Sequence, residues 1–123
     1  MTMQNFEVNG KEYELKFNFA AVKHVSSLYE GGALAFIGRA LSGDLGTFAH
    51  IVHAGLFHTG ENFSLKTVED AIEKQFEEEK VDMHTVLKVS NEVVIESHFF
   101  KRTIENMMKK DPKAFELLKE ITA

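Results

Sequence analysis

Residues 6–17 read Phe6-Glu7-Val8-Asn9-Gly10-Lys11-Glu12-Tyr13-Glu14-Leu15-Lys16-Phe17, with apolar and charged side chains alternating on both sides of Asn9-Gly10. No other stretch restricts the fold so strongly. Asn-Gly supplies the two positive φ angles of a type I′ turn, whose twist suits two antiparallel strands. A two-residue loop sets Val8 opposite Lys11 and Phe6 opposite Tyr13. Phe6, Val8, Tyr13, Leu15 and Phe17 then share one face, and Glu7, Glu12, Glu14 and Lys16 the other. An isolated hairpin is marginal in water, so this one must lie on something apolar. The rest of the chain reads as helix. The expected fold is mainly α: a single domain of about five to six helices (18–123) carrying an N-terminal β-hairpin (1–17).

Helix boundaries follow from capping residues and breakers. Asn18 predicts a cap for a helix from Phe19 to about Tyr29, with Phe19, Val22, Val25 or Ser26, and Tyr29 at helical spacing; Gly31-Gly32 ends it. A short helix from Ala33 to about Leu41 stops at Ser42-Gly43. Asp44 caps the next, whose stripe is Leu45, Phe48, Ile51, Val52, Gly55 and Leu56. After the loop Thr59-Gly60-Glu61-Asn62, Ser64 or Thr67 starts a fourth helix to about Glu79. Val68, Ala71, Ile72 and Phe76 form its apolar stripe, and Glu69, Asp70, Glu73, Glu77 and Glu78 cover the other side. Asp82 caps the longest predicted element, Met83 to about Lys110, roughly 40 Å as one straight helix. Asp111-Pro112 marks a boundary before a last helix presenting Phe115, Leu118 and Ile121.

Composition excludes several functions. The chain has 123 residues, 44% hydrophobic, no cysteine and a net charge of −5. Acidic residues spread along it argue against nucleic acid, which demands a basic patch. Without cysteine there is no disulfide, thiolate nucleophile or zinc–cysteine site. No signal peptide is visible at the N-terminus. The longest uncharged run, Leu45 to Gly60, is too short and polar to span a membrane.

No catalytic pattern stands out: there is no Gly-x-Ser-x-Gly, no His-Glu-x-x-His and no phosphate loop. His50 and His53 stand three apart on a helix, followed by His58, with Glu61 as the only nearby carboxylate. That set would suit a metal-dependent enzyme, but half-buried or solvent-facing histidines account for it better. We expect no enzyme activity, no cofactor and no metal.

The segment 31–60 holds seven of the eight glycines and only two charges, Arg39 and Asp44. Gly38 and Gly55 fall inside predicted helices, where glycine costs roughly 1 kcal/mol against alanine. Close helix packing explains that. A loosely held apolar surface that accepts a partner explains it too, and would involve Phe36, Ile37, Phe48, Ile51 and Phe57. Ile95 and Phe99 lie almost opposite the main stripe of the long helix. They are either buried internally or contact another chain.

The opening Phe6 to Phe19 resembles the start of small tail assembly chaperones of long-tailed bacteriophages or prophages of Gram-positive bacteria. Phe63-Ser64-Leu65-Lys66-Thr67-Val68-Glu69-Asp70-Ala71-Ile72-Glu73 resembles the same family, where a capped acidic helix follows a small apolar helical region. The resemblance implies a non-enzymatic protein of the host cytoplasm that is absent from the mature virion. It implies binding to the tape-measure protein, recruitment of tail-tube protein, and a longer frameshifted form beside a shorter one such as this. A homo-oligomer is a further expected partner. The alternative is a helical interaction adaptor or regulatory subunit unrelated to phage.

Overall fold

The computed structural model describes residues 4–113. Strands β1 (Asn5–Val8) and β2 (Lys11–Glu14) pair antiparallel with Phe6 opposite Tyr13 and Val8 opposite Lys11, the register the turn predicts. Asn9 and Gly10 have φ of 53° and 83°. Phe6, Val8 and Leu15 are buried, and Tyr13 and Phe17 pack half-buried against the same core. The strand stops at Glu14, short of the predicted Phe17. The Leu15 N–H still reaches the Gln4 carbonyl (2.7 Å), but the next N–H, of Lys16, turns away to the Gly55 carbonyl (3.0 Å).

Six α-helices follow within the described residues: α1 (Phe19–Leu28), α2 (Ala33–Leu41), α3 (Leu45–Gly55), α4 (Leu65–Glu77), α5 (Met83–Glu96) and α6 (His98–Lys110). A 3₁₀ turn, Phe57–Thr59, follows α3. Asn18, Asp44, Ser64 and Asp82 each accept a hydrogen bond from the N–H three residues on, at 2.9, 2.9, 3.1 and 2.8 Å. These bonds satisfy donors that a helix start leaves without an internal partner. The cap positions are therefore those the sequence predicts.

Helix α3 is the hub, packed against α1, α2, α4 and α5. It runs antiparallel to α4: His53 near its end bonds the Phe63 carbonyl before α4, while Leu45 and Gly46 at its start face Phe76 near the end of α4. The hairpin lies across α3 and α4, with the Phe6 ring edge-on to Phe48 at 6.2 Å. On the other side, Phe36 is the hub of rings from Phe17, Tyr29 and Phe100, at 6.1, 5.6 and 5.6 Å. Burying each such side chain contributes roughly 1.5–3 kcal/mol.

The long helix is corrected to two. Ser97 adopts an extended conformation (φ −70°, ψ 118°), and its carbonyl accepts from Phe100 and Lys101 to start α6. Beyond the break Phe100 and Ile104 are both buried in the core, while Ser97 makes no side-chain cap bond to α6. The stripes that begin at Phe19 and Leu45 and the one that ends at Phe76 need correction at those residues. Phe19 is 82% exposed, because Ala21, Val22 and Val25 set the inward arc of α1 and Phe19 lies about 200° around the helix from Ala21. Leu45 and Phe76 are exposed as well, and two methionines outside those stripes, Met83 and Met107, also face solvent. The last predicted helix, with Phe115, Leu118 and Ile121, lies outside the described residues.

Candidate functional site

Where α3 and α4 pass each other they leave a cleft of about 400 Å³ lined by Leu45, Gly46, Ala49, Glu69, Ile72, Glu73 and Phe76. Each wall has a local cause. Asp44 fixes the first turn of α3 through two hydrogen bonds from Thr47, by N–H (2.9 Å) and hydroxyl (2.7 Å). That places Leu45, Gly46 and Ala49 along one edge. On α4, residues 69, 72, 73 and 76 recur at helical spacing and line the opposite edge. The floor is apolar, and Gly46 has no side chain to close it. Leu45 (52% exposed) and Phe76 (54% exposed) stand open at one end. Glu69 and Glu73 are exposed on the α4 rim, and neither forms an ion pair within 4 Å among the described residues. Their neighbour Asp70 is met by Lys66 at 3.4 Å.

The predicted contact residues do not converge. Phe36, Ile37, Phe48 and Ile51 are fully buried in the core, so a partner reaches them only if helices part. Phe57 is half-buried beside a second cleft of about 410 Å³, formed with Asn18, Ala20, His53, Leu56, Asn62 and Phe63. Ile95 is half-buried against the core, and Phe99 is 57% exposed across the Ser97 break from it. By sequence pattern Leu45, Ile72 and Phe76 belong to apolar stripes, and Glu69 and Glu73 to the side of α4 opposite its stripe. A helical wheel cannot distinguish an apolar residue that meets a neighbour from one that overhangs a gap.

The histidines serve the fold. His50 Nδ1 lies 2.9 Å from the Tyr29 hydroxyl, which donates to Thr47 (2.8 Å), which donates to Asp44. With the tyrosine proton committed to Thr47, His50 must donate from Nδ1. His53 Nε2 lies 2.9 Å from the Phe63 carbonyl and His58 Nε2 2.7 Å from the Glu14 carbonyl. Among the described residues no three His, Asp or Glu side chains assemble as a metal-binding group. Burial pushes His50 below its ordinary range, and His24 likewise, with His53 and His50 adding repulsion at His24.

The model of the family described as phage tail assembly chaperone protein, TAC, matches residues 5–109, from β1 to the end of α6. The chain belongs to that family. No curated protein and no solved structure matches it significantly. The match spans both walls of this tail assembly chaperone's α3–α4 cleft and the whole hairpin. Among the described residues, no helix of the chaperone is long and apolar enough to cross a membrane.

Proposed function

We propose that this tail assembly chaperone binds the phage tape-measure protein, keeps it soluble and helps bring tail-tube subunits to it. The setting is the cytoplasm of a Gram-positive host infected by, or lysogenic for, a long-tailed phage, and the chaperone leaves before the virion is complete. One observation carries the reading: a member of this family has large apolar side chains, among them Leu45, Phe76 and Phe99, standing exposed on an acidic body. A contiguous apolar patch marks an interaction surface, and Leu45 and Phe76 belong to one, at the α3–α4 cleft. Net negative charge keeps the chaperone and its complexes dispersed. A client that must be released into a tail needs a modest interface, with exchange set by dissociation rate. Neither a cofactor nor a catalytic step is part of this reading. A second copy, or a longer frameshifted form, would use the exposed Phe99 end.

The test is co-expression with the tape-measure protein of the same phage. The client should move from the insoluble to the soluble fraction and co-purify with the chaperone. A client equally insoluble with and without it rejects the reading.

A further inference from the structure

We propose that the α3–α4 cleft is the client seat, and that its occupant is one amphipathic helix whose apolar side chains are flanked by lysine or arginine. This rests on the client-binding reading above and names the chemistry that the site selects. Along both walls the helix backbone is used internally, apart from the N–H groups of Leu45 and Gly46 in the first turn of α3, so the cleft presents mainly side chains. An extended peptide laid there would leave its own N–H and C=O groups facing apolar carbon without partners. A helix satisfies its own backbone and needs only an apolar stripe, which Leu45, Ala49, Ile72 and Phe76 receive.

Charge then selects among helices. Glu69 and Glu73 stand four residues apart on one rim, on a protein of net charge −5. Basic residues beside the apolar stripe of the occupant would meet both carboxylates, and acidic ones would be repelled. Gly46 matters through what it lacks. Among the described residues a Cβ there meets only Asp44 Oδ2, at 3.5 Å, so the gap above it can hold a side chain of the incoming helix.

The experiment uses labelled peptides of about 18 residues, roughly five turns, with leucine on one face and either lysine or glutamate on the other. Fluorescence anisotropy reads binding to the full chain. The leucine–lysine peptide should bind about tenfold or more tightly than the leucine–glutamate peptide, and the preference should fade with salt. Glu69→Lys with Glu73→Lys should reverse the preference. Gly46→Leu fills the gap without changing any charge and should weaken the leucine–lysine peptide by about tenfold or more. Circular dichroism checks that each variant is folded. Leucine–lysine binding that Gly46→Leu leaves unchanged overturns the proposal, since attraction to an acidic surface would then suffice. Light scattering without peptide supplies another rejecting result: wild-type self-association that Gly46→Leu abolishes would mean that a second copy fills the cleft. If wild type co-purifies tape-measure protein and Gly46→Leu does so equally, the seat is wrong and the chaperone reading stands. If wild type binds the peptides as predicted but not the tape-measure protein, the seat stands and its client has been misassigned.

Discussion

Leu15 lies directly against Gly55: a Cβ added at Gly55 would stand 3.3 Å from both Cβ and Cδ2 of Leu15, beside the hydrogen bond from the Lys16 N–H to the Gly55 carbonyl. The hairpin therefore docks on α3 through a missing side chain. Gly38, the other glycine inside a helix that the sequence makes conspicuous, has nothing within 4 Å of a Cβ placed on it. Gly38→Ala should raise stability by roughly 0.5–1 kcal/mol through helix propensity alone. Gly55→Ala makes the same gain but crowds Leu15, at about 1–3 kcal/mol for overpacking. Urea denaturation should rank Gly38→Ala above wild type and Gly55→Ala at or below it. The opposite order would mean that the hairpin does not rest on α3 as described.

The break at Ser97 gives a sharper test. Ser97 is extended, the conformation a residue preceding proline requires, and His98 occupies the first helical position of α6, where proline is tolerated. His98→Pro should change stability by less than about 1 kcal/mol. In an unbroken helix the same change would cost about 3 kcal/mol or more. Thermal unfolding followed by circular dichroism distinguishes the two.

Asp44 holds both the start of α3 and the end of the His50–Tyr29–Thr47 chain. Asp44→Ala should cost about 0.5–2 kcal/mol at neutral pH, as the loss of a helix cap does. Hydrogen bonds from the Thr47 hydroxyl and N–H hold the Asp44 carboxyl below its usual range. Its contribution is therefore present above the unfolded value of about 3.9 and lost as pH falls through the lower folded value. The denaturant midpoints of wild type and Asp44→Ala should converge in acid; a constant gap would rule out the cap as the cause.

The histidines give the opposite window. His24 and His50 are both pushed down on folding, so the unfolded chain binds more protons as pH drops below about 6.5. Stability should be full above that value and decline as pH falls toward the lower folded values. His24→Phe, which keeps a ring against His53 and Phe57, should flatten part of that slope. Urea midpoints at about pH 7.5 and about pH 5.5 read the effect, and equal wild-type midpoints would refute it.

Self-association can be probed at one residue. Ile95 is packed against the core, so a charge there would unfold as well as dissociate, whereas Phe99 is exposed. Phe99→Asp should keep helicity and reduce oligomer mass in light scattering if this end joins copies. An oligomer of undiminished mass would exclude the Phe99 end as the contact.

What the sequence made legible was local. The Asn9-Gly10 turn, the register it fixes and the four caps depend on atoms a few residues apart, and all stand where expected. What it hid was tertiary. Phe48 and Phe76 both read as stripe residues, yet Phe48 meets Phe6 of the hairpin while Phe76 lines a cleft that it shares with Gly46 of α3. Gly38 and Gly55 likewise read alike until Leu15 is placed. Neither glycine nor proline stands near Ser97 to announce the break; what accompanies it is the burial of Phe100 and Ile104 beyond it. Glu69 and Glu73 looked like a solvated face because their significance depends on the opposite wall.

The hairpin is held from afar. The Gln4 amide bonds the Glu92 carboxylate 88 positions later, and the Gln75 amide donates to the Glu7 carbonyl at 2.8 Å. At about 5–20 residues per second of translation, Gln4 waits roughly 4–18 s for Glu92 to be made. Until α3, α4 and α5 emerge, Phe6 and Val8 have no floor beneath them. A member of a chaperone family thus starts its own existence with an apolar strand uncovered, and slowing synthesis would prolong its own exposure to aggregation.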